Sequence, residues 1–371
     1  MKHLLAVCIL FFSFHVFAEE TQTQMQKNFE ALIKLQEYAA DPKAFSNPAN
    51  REDIQKHLDS INVHMFPKKL ESTEPGLAAI ASLFEAYVND TREAFRSGAA
   101  GSFVRNQVRT MSGFCFQCHT RMEGSKFQDP KKRIESLNVS NYNKALFLAA
   151  TRQFDVAIKL FEKIIASTPN GELGMIELTN AARHVLSITV RVKQDPKETM
   201  KFLKKLSNRK DLPDFFVRSL SEWKKDVQGW QREKQKPSSL SESQLFALAK
   251  KTYAAGTKKQ IFPADPSGDV SFLRTTNYIH QALAKNPKSK NRAEALYILG
   301  SCYDALQDPM LWGLDSMYFE ACVREFPHSK TAKNCYERYA AKLYFGFTGS
   351  SGTFVPEDEQ KKLKELRKLA E

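Results

Sequence analysis

Residues 101–122 read GSFVRNQVRTMSGFCFQCHTRM, and the fold reading turns on this stretch. Val104, Val108, Met111, Cys115, Cys118 and Met122 recur at spacings of four, three, four, three and four. That is the apolar seam of a helix facing a bundle core. Within it, Cys115-Phe116-Gln117-Cys118-His119 is C-x-x-C-H, the attachment signature of c-type haem. Two thiols two residues apart add across the two vinyl groups of one porphyrin, and the histidine after them sets an imidazole nitrogen under the iron. Cys115 and Cys118 are therefore the candidate thioether anchors, and His119 is the candidate proximal ligand. A redox dithiol would want the C-x-x-C at the start of a helix that follows a strand, and no βαβ pattern precedes it. A zinc site would need a fourth ligand, and the chain has neither a second C-x-x-C nor an H-x-x-x-H.

The N-terminus agrees with the haem reading. Met1-Lys2-His3 is a short basic start, Leu4 to Phe17 is almost wholly apolar, and Ala18 is a small residue before Glu19. This pattern reads as a secretory signal peptide over residues 1–18. Covalent haem attachment in bacteria takes place outside the cytoplasmic membrane, so export is what the motif requires, and a periplasmic location follows. The run is too short for a good membrane span, and no later stretch is apolar enough to be one. The expected mature chain is soluble, with no transmembrane segment.

The length of 371 residues leaves room for two or three domains. The formal charge of +13 becomes +12 once Lys2 is removed with the signal peptide. In an exported protein this argues against nucleic acid and for acidic protein partners or anionic lipid surfaces, although lysine-rich solvated helix faces account for much of such an excess.

Residues 19–128 read as four helices. In the first, Met25, Phe29, Leu32 and Ile33 share a face, and Asp41-Pro42 and Asn47-Pro48 then break the chain. The second carries Ile54, Leu58, Ile61 and Met65 up to Pro67, and the third carries Leu77, Ile80, Phe84, Tyr87 and Phe95 from Pro75 to Gly98. The fourth starts at Gly101-Ser102 and holds the motif.

This arrangement resembles the class II cytochromes c, the cytochrome c-prime family, which are antiparallel four-helix bundles with C-x-x-C-H near the end of the last helix. The likeness covers about 110 residues and rests on the placement of Cys115, Cys118 and His119, with the basic Arg121 after them. It implies a methionine from the first helix on the distal side of the haem, and Met25 matches by position. The alternative is that Met25 only fills the core, leaving a five-coordinate iron able to bind a small gas. His57, His64, Met65 and Met111 are poorer candidates. A thioether ligand raises the reduction potential relative to bis-histidine ligation. Phe114 and Phe116 are expected to pack on the porphyrin, and Arg109, Arg121 and Lys126 to lie near its propionates. The resemblance also admits a homodimer.

Beyond a connector at 129–136 the texture changes. Residues 142–169, YNKALFLAATRQFDVAIKLFEKIIASTP, resemble a tetratricopeptide repeat, with Ala145, Gln153, Phe154, Ala157, Phe161, Ile164 and Pro169 at its small, turn, packing and terminating positions. A degenerate pair spans 174–207, broken at Asp195-Pro196. A Trp-containing helix covers 214–233, and 234–243 is a possible internal break. The stretch from Gly256 to Asp269 reads as a loop. Thr275–Leu283 and Ala293–Tyr303 resemble further repeat helices, with Gly300 at a small position and Phe319, Cys322 and Pro327 completing the unit. Residues 137–371 are thus expected to form an α-solenoid of such pairs, whose concave face binds a protein partner. Cys302, Cys322 and Cys335 remain, and they read as buried free thiols with one internal disulfide as the alternative.

The sequence thus predicts an all-α protein, an antiparallel four-helix cytochrome bundle followed by an α-solenoid. The functional expectation is a periplasmic monohaem c-type cytochrome that transfers electrons and docks a protein partner, a redox complex, through its repeats. A carrier fits better than an enzyme. The alternatives are a gas-binding or redox-sensing haem protein and a haem-bearing assembly factor.

Overall fold

The computed structural model describes residues 24–62, 75–119, 130–168, 172–233, 236–263, 265–307, 311 and 313–371. The signal-peptide reading, His64, Met65, Arg121, Met122, Lys126 and the Asp308-Pro309 insertion lie outside them. The chain is all-α. Among the described residues its only sheet is a short hairpin, β1 (Thr348–Gly349) with β2 (Gly352–Thr353). No helix among them is long and apolar enough to cross a membrane.

The N-terminal part begins with helix α1 over 24–40. Asp41 ends it and caps the short α2 (Pro42–Ser46), accepting from the Lys43 N–H with Pro42 in the first helical turn. After the Asn47-Pro48 break come α3 (Arg51–Ser60), α4 (Pro75–Arg96) and α5 (Gly101–Thr110). Gly98 stops α4 in the left-handed conformation, φ +76°, which glycine adopts without strain. α1 and α5 run antiparallel: Gln36 Nε2 donates to the Val108 carbonyl (2.6 Å) and Arg105 Nη1 to that of Ala39 (3.4 Å).

The fourth predicted helix is not continuous. It turns at Met111, whose N–H bonds back to Val108 and whose carbonyl accepts from Phe114, before α6 (Ser112–His119) resumes. Val104, Val108 and Met111 are buried as the seam requires, whereas Cys115 is half-buried. Ser112-Gly113, poor helix formers directly after Met111, account for the break.

Beyond α7 (Pro130–Glu135) the chain forms helix pairs. α8 (Asn141–Ala150) packs on α9 (Phe154–Ser167), with Ala145, Ala157 and Phe161 fully buried between neighbouring helices. α10 (Glu172–Leu186) runs on into a π-helical turn, Ser187–Val192, buried along its whole length. Asp195 then caps α11 (Pro196–Leu206), and α12 (Asp214–Gln231) follows. At the possible break, Leu240 is buried and Lys285 Nζ donates to the Ser238 carbonyl (3.1 Å), tying the connection to its neighbours.

The expected loop from Gly256 to Asp269 begins later: Gly256 is in the last turn of α13 (Glu242–Lys259), which opens on a Ser241/Gln244 capping box, and the connection proper ends on a 3-10 turn at Pro266–Gly268. Gly256 is there for contact and not for a turn: a Cβ at this position would stand 2.8 Å from the Phe272 ring of α14 (Asp269–Lys285). Gly300 of α15 (Arg292–Leu306) plays the same part toward Phe319 of α16 (Leu314–Glu325). α17 (Lys330–Gly346), the hairpin and α18 (Glu357–Ala370) complete the chain.

The reading of three free thiols needs correction. Cys322 and Cys335 form a disulfide that staples α16 to α17, and Cys302 alone stays free and buried. Neighbouring positions in a helix pair brought two of the three sulfurs together, which their sequence spacing alone did not reveal. The N-terminal helices contact the later ones. α6 packs on α8, α4 packs on α16, and Phe29 of α1 meets Phe147 of α8 edge to face at 6.3 Å.

Candidate functional site

The C-x-x-C-H motif occupies α6, wedged between α4 on one side and α8 on the other. Its two phenylalanines face different neighbours, being on nearly opposite sides of the helix. Phe114 is buried against Phe84 (5.5 Å) and Tyr87 (5.1 Å) of α4. Phe116, fully buried, meets the His184 ring of α10 at 5.0 Å.

His119 is held by the end of α8. Arg152 takes a left-handed conformation, φ 62°, and turns the chain sharply after Ala150. The carbonyls of Phe147, Leu148 and Ala149 are satisfied locally by the N–H groups of Thr151, Gln153 and Arg152. The Ala150 carbonyl, one of the orphan acceptors at a helix C-terminus, pairs with His119 Nδ1. A carbonyl only accepts, so Nδ1 carries the proton and Nε2 is left with its lone pair. Burial lowers the imidazole pKa to about 4, the Arg152 charge adds to this, and the Ala150 carbonyl opposes it. The ring is thus neutral at pH 7, the form that ligates a metal.

This donor set fits a c-type haem. Metal-binding histidines commonly donate their second ring nitrogen to a backbone carbonyl, which fixes the tautomer and ring orientation. Cys115 is half-buried on the same helix. Cys118 follows it in α6 by less than one helical turn, the spacing the thioether pair needs.

The other sequence candidates scatter. Met25 is half-buried near the start of α1. Arg109 is exposed at the end of α5. Met111 is fully buried at the turn, and His57 sits on α3 beside Asp53 (3.5 Å). His184 escaped the sequence reading. It is fully buried, its Nε2 lies 2.6 Å from the Tyr142 hydroxyl, and the Phe161 ring is 5.3 Å away. The available signal was a lone histidine inside the apolar run of residues 181–192.

No family model, no curated protein and no solved structure matches this chain. The reading of the site therefore rests on its own residues.

Proposed function

We propose that the chain is a periplasmic monohaem c-type cytochrome, with residues 19–128 as a class II-like four-helix haem domain and residues 137–371 as a tetratricopeptide-like solenoid that docks a redox partner. The observation that carries this is the C-x-x-C-H motif on α6 with His119 Nδ1 bonded to the Ala150 carbonyl. Cys115 and Cys118 would hold the haem by thioethers and His119 Nε2 would bind its iron. When bound, the haem supplies a one-electron couple between ferrous and ferric iron.

The protein's own contribution is orientation and exclusion of water. The Ala150 carbonyl fixes the imidazole plane and raises its basicity, and the buried Phe114 and Phe116 keep the motif helix in a dry setting. The antiparallel register of α1 and α5 supports Met25 as the distal ligand. Gln36 meets Val108, and Met25 precedes Gln36 by as many residues as His119 follows Val108, with only the turn at Met111 intervening. The Cys322–Cys335 disulfide is at home in an oxidising compartment and supports export.

The test is an optical spectrum, oxidised and reduced, of protein matured by a periplasmic haem-attachment system. Sharp α and β bands and haem that remains on the denatured chain are expected, with Met25→Ala converting the iron to high spin. Absence of haem absorbance after competent maturation would sink the proposal. Broad high-spin bands in the parent chain that shift with carbon monoxide would replace electron transfer by gas binding.

A further inference from the structure

The interior between α10, α14 and α15 holds a cation that the haem reading does not use. Arg191 sits on the π-helical turn after α10 and is only 3% exposed. Two other buried arginines are compensated, Arg183 by Asp269 (2.9 Å) and Arg274 by Glu233 (2.6 Å). Arg191 has no carboxylate in ion-pair reach among the described residues. Its Nη2 donates to the Tyr303 hydroxyl (3.2 Å), and its Nη1 meets no acceptor among those residues.

The surroundings are organised around this guanidinium. Its carbon lies 5.7 Å from the centre of the Tyr303 ring, and Tyr303 stacks in parallel on Tyr318 at 5.4 Å. His280 Nε2 is 3.3 Å from the same Tyr303 hydroxyl. Asn277 Nδ2 donates to the Arg191 carbonyl (2.8 Å) and so pins the π turn to α14. Asn277 and His280 are only partly buried, so the solvent side of the cluster lies along α14.

Burying one uncompensated charge is strongly unfavourable, and groups that do so are ordinarily paired. The guanidinium fork matches a planar oxyanion, and one unpaired positive charge is balanced by one negative charge. We infer that Arg191, with the Tyr303 hydroxyl beside it, binds a single carboxylate group entering along α14. The assignment does not rest on the haem reading. The carboxylate comes either from a haem propionate or from a separate molecule or peptide, and the chemistry at Arg191 is the same.

The experiment compares thermal unfolding of the full chain in sodium acetate and in sodium chloride at equal ionic strength. It uses haem-loaded protein and the Cys115→Ser/Cys118→Ser chain without haem. The haem-free chain is expected to unfold at higher temperature in acetate than in chloride. Arg191→Met removes that difference and, having lost an unpaired buried charge, unfolds roughly 2 °C above the parent in chloride. If attached haem abolishes the acetate effect, the propionate is the occupant. If the effect survives, the carboxylate comes from elsewhere. Equal behaviour of the haem-free parent in the two salts, or an acetate effect that persists in Arg191→Met, overturns the assignment. Arg191→Met less stable than the parent in chloride overturns it too. Should the haem-free chain not fold, the haem-loaded protein decides. There, either acetate stabilises through Arg191 or Arg191→Met lowers the reduction potential, and with neither change the assignment fails.

Discussion

His119 Nδ1 is bonded to the carbonyl of Ala150, so the last residue of the C-x-x-C-H motif is held by the end of α8, a helix that follows it in the chain. The bond exists because the left-handed turn at Arg152 closes the end of α8 while leaving one carbonyl for the imidazole. On the proposed haem reading, removing the imidazole would affect the iron and spare the covalent link. His119→Ala, matured with haem, is expected to keep the cofactor through Cys115 and Cys118, lose the low-spin α band, and regain it on addition of imidazole. An unchanged spectrum would mean that another nitrogen, such as that of the buried His184 beside Phe116, serves as ligand.

The disulfide gives a prediction independent of haem. Cys322 and Cys335 are separated by 13 positions, and cross-linking a loop of that size stabilises a fold by about 3 kcal/mol through the unfolded chain. Cys322→Ser/Cys335→Ser should lower the unfolding free energy measured in urea by an amount of that order, and reducing agent should act on the parent but not on this variant. Burial raises the Cys302 thiol well above its ordinary pKa, so native protein should resist alkylation there at pH 8. Mass spectrometry of iodoacetamide-treated protein before and after denaturation checks both statements.

Gly300 faces Phe319 so closely that an added Cβ would lie 2.6 Å from the ring. Phe319 is itself fully buried and has little room to retreat. Gly300→Ala gains helix propensity, but overpacking at a site like this costs about 1–3 kcal/mol. A net loss of stability is expected, and Phe319→Leu in the same chain should recover part of it. A stabilised Gly300→Ala would show that α15 and α16 can move apart freely.

Much of this architecture was legible because helix signals are local. Asp41-Pro42, Gly98 and Asp195-Pro196 mark boundaries that the structure keeps, since caps and left-handed glycines act within a turn of where they stand. Gly256 misled for the same reason. A glycine chosen for contact with a residue on another helix looks identical, in sequence, to one chosen for a turn. The break at Met111 was hidden because the apolar spacing continues across it. At the site, the motif itself named Cys115, Cys118 and His119, but the groups packed on it include Ala150, whose contribution to His119 is a backbone carbonyl, and His184 of α10, whose ring meets Phe116. Neither leaves a pattern, because long-range pairing depends on how the helices pack. The Cys322–Cys335 link is of the same kind.

The connection between α13 and α14 hangs on Asp265, and it supplies a pH signature. The carboxylate accepts from the Ser267 N–H (3.0 Å), the Ser267 hydroxyl (2.6 Å) and the Ile261 N–H (3.0 Å), and it pairs with Arg218 (3.2 Å). Burial alone would raise its pKa, yet the bonds from Ser267 and Ile261 and the Arg218 charge outweigh burial and hold it below the ordinary carboxylate value. A carboxyl whose folded pKa is depressed contributes stability that is complete above its unfolded pKa, about 3.9, and disappears as pH falls through the folded one. Asp265→Ala should therefore cost about 2–4 kcal/mol at neutral pH, because it orphans the two buried donors of Ser267 and loses the bonds from Ile261 and Arg218 as well. The gap between variant and parent should narrow as the pH is lowered from 5 toward 2.5. Urea unfolding across that range measures it, and a gap that stays constant would show that the Asp265 charge does not hold this connection together.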